Sequence, residues 1–123
     1  MINDLIGLDY KAGARYAPNC SCIDCFALLC EARRRLGLKD YEDEFQWVYE
    51  SKRLSVKAII KAMQKIATKT DCPRDGDMAI MGGGLHSLSV GVVVNGGILT
   101  IAHGMKSFWT PSLIGATFYS SLQ

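Results

Sequence analysis

The chain has 123 residues, 49% of them hydrophobic, and its 14 basic and 12 acidic side chains leave a net charge of +2. This length suits one domain with one modest core, so we predict a single domain over residues 1–123. The nearly balanced charge, with basic residues spread along helical stretches rather than gathered into tracts, argues against nucleic acid as a partner.

The N-terminal stretch MINDLIGLDY carries Asp4 and Asp9 where a secretory signal would have a basic and then an apolar segment. No apolar run reaches the roughly 20 residues that span a bilayer. We therefore expect synthesis in the reducing cytoplasm without a signal peptide, no membrane span, and five cysteines that need not form disulfides.

Residues 24–38 show the clearest helical pattern. One face of this helix is apolar and consists of Cys25, Leu28, Leu29, Ala32 and Leu36. Asp24 is predicted to cap the start of the helix, the arginines at 33–35 favour its C-terminal end, and Gly37 suits the left-handed residue that closes it.

The remaining elements follow in the order helix, then strands. A second helix is predicted from Ser55, with an apolar face of Val56, Ile59, Ile60, Met63, Ile66 and Ala67. Residues 40–53 predict a short helix or a lid-like connection between the two helices. Beyond a turn at 72–76, strands are predicted at 78–81, 88–94 and 98–102, with a hairpin turn at Asn95-Gly96-Gly97 and a further strand near Phe118-Tyr119. This order predicts an α+β domain with N-terminal helices packed on a small antiparallel sheet.

Four of the five cysteines lie between residues 20 and 30, which raises metal binding, disulfide pairing and catalysis as alternatives. A structural zinc site needs four ligands, usually in two close pairs, and no second close pair is present, so we predict no metal and no cofactor. Cys30 lies about 140° around the helix from Cys25 and is interpreted as a core residue.

Cys25 differs from the other cysteines because it would occupy the first turn of a helix. Unpaired backbone N–H groups and the helix dipole stabilise a thiolate there, which predicts a depressed pKa and a nucleophilic role. A purely structural cysteine is the alternative.

Several motifs, in this order, resemble those of the NlpC-type cell-wall cysteine peptidases, above all their phage-tail members. They are Tyr10-x-x-Gly13, Asp24-Cys25-Phe26-Ala27-Leu28-Leu29, Leu36-Gly37-Leu38, Pro73-Arg74-Asp75-Gly76-Asp77-Met78, and the strand, hairpin and strand from Val90 to His103. The resemblance implies a papain-like fold in which Cys25 attacks an amide carbonyl, a histidine transfers the proton, a third polar residue orients the imidazole, and Tyr10 lies near the oxyanion.

The chain departs from the family pattern at the base, because Ser89 stands where the family has its histidine. We expect the site on the Ser89 side of the strand, so His86, three residues earlier, reaches it only if the chain bends between Gly84 and Ser89. His103 corresponds to the third triad position. A polar turn residue at His86, a strand-end histidine at His103 and a core tyrosine at Tyr10 are the structural alternatives.

The resemblance implies a hydrolase that cleaves a peptide or amide bond in the peptidoglycan stem peptide. It also implies a phage or prophage tail component, associated with the virion or delivered to the cell wall by a targeting partner. Because of Ser89, a catalytically degenerate member that acts in binding or assembly is the alternative. An acyltransferase on the same scaffold is a third hypothesis, since an amine or a lipid can attack the thioester intermediate instead of water.

Overall fold

The computed structural model describes residues 2–44, 46, 61–62, 64–81, 89–102 and 104–121. In these parts of the chain one α-helix, α1 (Cys25–Arg35), packs on a six-stranded antiparallel sheet. The strands of this sheet are β3 (Ala67–Thr70), β4 (Met78–Met81), β5 (Ser89–Val94), β6 (Gly97–Thr100), β7 (Phe108–Thr110) and β8 (Ala116–Ser121). A 3-10 turn (Asn3–Leu5) precedes a separate parallel pair, β1 (Asp9–Tyr10) and β2 (Cys22–Ile23). The predicted mixture of helix and antiparallel sheet is confirmed.

The two ends of α1 are capped as predicted. Asp24 Oδ1 accepts a hydrogen bond of 2.6 Å from the amide of Ala27, which satisfies one of the donors that a first helical turn leaves unpaired. At the other end Gly37 has a φ of +75°, and its amide and the next one bond to carbonyls of the last turn in a Schellman motif. These caps make Cys25 the first residue of the helix.

The two faces of the sheet carry separate apolar clusters. The larger cluster joins the helix to the even-numbered residues of β5, and it includes Cys25, Leu28, Leu29, Val90, Val92 and Val94. A smaller cluster lies on the opposite face and contains Ala79, Val93, Ile98 and Phe118. The helix therefore covers the Val90 face of β5.

This packing overturns the prediction that the Ser89 side of β5 faces the site. Side chains alternate along a strand, so Ser89 has the parity of Val93, which lies on the face opposite α1. The prediction assumed that the core and the site need different faces of the strand. In the structure the same valine face forms the core and also lies beneath Cys25.

The central strands agree with the sequence pattern. Asn95 and Gly96 have φ values of 51° and 73°, as a two-residue hairpin turn requires, and Val94 pairs with Gly97 across it. The strand expected near Phe118-Tyr119 is β8, which lies between β3 and β4 instead of continuing the meander.

The second predicted helix, the connection over 40–53 and the glycine run at 82–84 fall mostly or wholly outside the described residues. Lys61 and Ala62 are helical, as predicted. At the C-terminal end of the predicted helix the prediction is wrong, because Ala67 is the first residue of β3, which pairs with β8. Thr68 and Thr70 are β-branched and favour a strand. The strands β1, β2 and β7 have no counterpart in the sequence prediction.

Within the described residues, the helical segments are too short or too polar to cross a membrane.

The edge strand β7 packs closely on β6 through Trp109. The indole Nε1 donates a 2.8 Å hydrogen bond to Val94 O, and a Cβ atom built on Gly97 would lie 2.3 Å from the backbone oxygen of Thr110 and 2.5 Å from Cζ2 of the ring. We expect Gly97→Ala to lower the free energy of unfolding by about 1–3 kcal/mol, because the ring or the strand must move. Chemical denaturation measures this change.

Gly91→Ala is the matched control. A Cβ there would lie 2.9 Å from Ile98 Cγ2 and 3.0 Å from both Leu99 O and Met81 Cε, so its contacts are less close than those at Gly97. Equal losses of stability in the two variants would show that the close approach of β7 does not constrain Gly97.

Candidate functional site

Cys25 lies where the start of α1 meets the start of β5, and it is only 6% exposed. The backbone groups of Val90, of Phe26 and of Cys25 itself lower the pKa of its thiol, since they favour the thiolate. The first helical turn and the adjacent strand thus both direct backbone groups at this atom.

The protonation state of Cys25 is nevertheless the opposite of the one predicted. Burial, and after it the charge of Asp24, raise the pKa of the Cys25 thiol to about 11. The prediction of a depressed pKa is wrong because a helix terminus stabilises an anion by only about 0.3–1 kcal/mol, less than removing a thiolate from water costs. Cys25 is therefore a thiol at neutral pH.

Tyr10 lies close to Cys25, as the family resemblance implied. The tyrosine is half-buried in β1, and its partner in the parallel pair is Ile23, two residues before Cys25. Burial raises the pKa of the Tyr10 hydroxyl, and the charges of Cys25 and Asp24 raise it further. Tyr10 packs against the apolar cluster that contains Cys25, while a role of Tyr10 beside an oxyanion stays a prediction.

His86 and His103 lie outside the described residues, so their predicted roles are not tested. The described chain does show which strand ends surround Cys25. Thr100 at the end of β6 pairs with Gly91 near the start of β5, and its hydroxyl donates to Val90 O at 3.2 Å. The start of β5 and the end of β6 therefore lie side by side next to the candidate nucleophile.

The other cysteines have different surroundings. Cys30 is fully buried, and burial raises its pKa to about 12, which confirms the interpretation of this residue as part of the core. Cys20 and Cys22 are half-buried, Cys72 is exposed, and each of the five cysteines is a free thiol. Over the described ranges no three His, Cys, Asp or Glu side chains are grouped so that they could hold a metal ion.

Asp24 contributes more to the site than the capping role that its sequence position indicated. Its side chain is fully buried, and its charge raises the pKa of both Cys25 and Tyr10. The start of α1 therefore holds Asp24 and Cys25 near Tyr10, three groups that each become negatively charged on losing a proton. The sequence held a signal for this, since Asp24 is followed at once by an apolar helix that has to be buried.

Comparisons of the chain with family models, with curated proteins and with solved structures return no match. The function is therefore inferred from the residues and from the geometry around Cys25.

Asp24→Asn tests how the carboxylate controls the thiol. Asparagine keeps an oxygen that can accept from Ala27 but removes the negative charge, so the pKa of Cys25 should fall below the value of about 11 in the unaltered chain. Alkylation of Cys25 by iodoacetamide, followed as a function of pH and resolved by peptide mass spectrometry, measures the midpoint.

Asp24→Ala separates charge from capping. Alanine removes the negative charge and the capping oxygen. It should therefore shift the alkylation midpoint of Cys25 in the same direction as Asp24→Asn, and also lower the free energy of unfolding by about 1 kcal/mol. An alkylation midpoint that stays in place in Asp24→Asn would contradict the proposed effect of the carboxylate.

Proposed function

We propose that the chain is a single-domain, papain-like cysteine hydrolase that cleaves a peptide or amide bond of the peptidoglycan stem peptide, with Cys25 as the nucleophile. The observation that carries the proposal is the position of Cys25, in the first turn of a capped helix and beside both Val90 and Tyr10. This arrangement agrees with the NlpC-type resemblance of the motifs, which also suggests a phage or prophage tail component.

The raised pKa of Cys25 decides which form of the mechanism is proposed. A thiol with a pKa of about 11 is a weak nucleophile at neutral pH, so a base has to remove its proton as the sulfur attacks the carbonyl carbon. The C–N bond of the resulting tetrahedral intermediate breaks, the amine leaves with the proton from the base, and water hydrolyses the thioester. Backbone N–H groups at the start of α1 and the Tyr10 hydroxyl are the proposed donors to the oxyanion.

Both histidines are candidates for the base. In sequence parity His86 matches Val90 and Val92, and His103 matches Leu99 and Ile101, and these four residues belong to the cluster that contains Cys25. The argument that required a bend for His86 to reach the site is therefore removed, and the positions of both histidines stay predictions. A base has to come within about 3 Å of the sulfur, directly or through one water, and substitution decides which histidine does so.

Two observations favour a second candidate, a protein of the same fold that binds peptidoglycan or takes part in assembly without catalysis. Cys25 is 6% exposed with a raised pKa, and Ser89 occupies the position where the family carries its histidine. A thiol that stays buried and protonated does not attack an amide.

Turnover of purified muropeptides distinguishes the two candidates. We expect the unaltered chain to release new amino termini, and Cys25→Ser to lose this activity by a factor of about 10³ or more. Cys22→Ser is the control, since Cys22 is half-buried three residues earlier and has no proposed role. Chromatography of the products with and without an added amine separates hydrolysis from acyl transfer.

His86→Ala and His103→Ala identify the base in the same assay. Loss of the base should lower kcat by a factor of about 10²–10⁴. Full activity in Cys25→Ser would exclude Cys25 as the nucleophile. Binding of muropeptides without turnover by the unaltered chain would favour the binding protein.

A further inference from the structure

A second surface feature lies towards the C-terminal end of α1, away from Cys25. It is an open groove of about 660 Å³, formed where β3 and the end of β8 meet the turn before β4. Cationic and hydroxyl-bearing residues line it, namely Lys69, Arg74, Thr68, Thr70, Ser120 and Ser121. Because side chains alternate along β3, Lys69 leaves the strand on the face opposite Thr68 and Thr70. Among the described residues that line it there is no carboxylate.

The nearby carboxylates are engaged in holding the turn. Asp75 accepts hydrogen bonds of 3.1 Å from the amide of Asn95 and 3.2 Å from that of Gly96, and Asp77 accepts one of 2.8 Å from the backbone amide of Arg74. The Arg74 guanidinium donates to a neutral partner, Ser120 Oγ, at 3.3 Å.

The two cations of the groove are not neutralised by ion pairs. Within the described ranges the ion pairs involve other arginines and lysines, and neither Lys69 nor Arg74 takes part in one. Lys69 and Arg74 are both exposed. Both charges are therefore open to solvent, and the Arg74 guanidinium lies in the groove beside Ser120.

A buried arginine lies behind the groove. A smaller cavity of about 180 Å³ shares Arg74, Ser120 and Ser121 with it and reaches Arg33, which is 3% exposed, and Asp75 and Asp77 also line this cavity. Arg33 donates to the carbonyl oxygens of Gly76 at 2.6 Å and of Lys39 at 2.7 Å. Because the two carboxylates offset the charge of Arg33, the positive charge that the groove presents to a ligand is that of Arg74.

We propose that this groove binds an oxyanion, a phosphoryl or carboxylate group, with Arg74 as its charged donor. A planar guanidinium matches the geometry of two anion oxygens, and charge-assisted hydrogen bonds are the strong ones. The hydroxyls of Thr68, Thr70 and Ser120 add neutral donors. Thr70 Oγ1 already accepts from the amide of Cys72 at 3.1 Å, so its hydrogen is left to donate. This site is independent of the chemistry proposed for Cys25.

Cys72 provides a probe inside the groove, because it is exposed and lines it. We expect inorganic phosphate or acetate to slow the alkylation of Cys72 by the neutral reagent N-ethylmaleimide, and to do so saturably. Site-resolved mass spectrometry gives the rate at Cys72 separately from the other cysteines. Sodium chloride at matched ionic strength controls for screening.

Arg74→Ala should raise the half-saturating concentration about tenfold or more, because it removes a charged donor. Arg74→Lys, which keeps the charge, should retain part of the effect, and Lys69→Ala, whose side chain leaves β3 on the other face, should change the half-saturating concentration less than Arg74→Ala does. Lys106→Ala is the matched control, since Lys106 is an exposed cation that pairs with Asp9 outside the groove. Its half-saturating concentration should equal that of the unaltered chain.

Stronger protection by phosphate than by acetate assigns a phosphoryl ligand, and the reverse assigns a carboxylate. Slowing by chloride to the same extent, slowing without saturation, or protection that is unchanged in Arg74→Ala would overturn the proposal. So would an absence of protection by either anion.

Discussion

The packing of α1 against β5 is the contact on which the rest of the structure depends. One side of the helix, with Cys25 at its first turn and Leu28 and Leu29 further along, lies in the same cluster as Val90 and Val92. Each fully buried apolar side chain contributes about 1.5–3 kcal/mol. Because this contact also brings the Cys25 sulfur to the backbone of Val90, the core and the candidate site are held by the same interaction.

Burial of Cys25 has a chemical consequence as well as a structural one. The packing that positions the sulfur also removes it from water, and this raises its pKa to about 11. Asp24 adds to the effect, although its carboxylate caps the helix that presents Cys25. The site therefore holds a positioned but protonated thiol, and its use as a nucleophile requires a base at the moment of attack.

The elements that the sequence predicts well are those set by local chemistry. Asp24 and Gly37 mark the ends of α1 because capping depends on a few adjacent residues, and Asn95-Gly96 marks the hairpin because its turn needs two positive φ angles. The pairing of β3 with β8 could not be predicted from adjacent residues, because Thr68 and its partner Ser120 are far apart in the chain.

The predictions about the site went wrong where they needed knowledge of burial. Position in a helix indicated a stabilised thiolate at Cys25, but only the fold shows that the sulfur is removed from solvent. The choice of face on β5 went wrong for the same reason, because alternation in a strand does not say which side the helix covers. The proximity of Tyr10 to Cys25 agrees with the family resemblance, because β1 pairs with the strand that leads into α1.

The most direct measurement of the central claim is the detection of a thioester on Cys25. The chain is mixed with muropeptide substrate, quenched in acid during turnover, digested and analysed by mass spectrometry. If Cys25 is the nucleophile, the peptide that contains it carries the mass of the acyl part of the substrate, and the peptides of Cys30 and Cys72 do not. Turnover with an acyl group on another cysteine, or with none on Cys25 under conditions in which the intermediate accumulates, would contradict it.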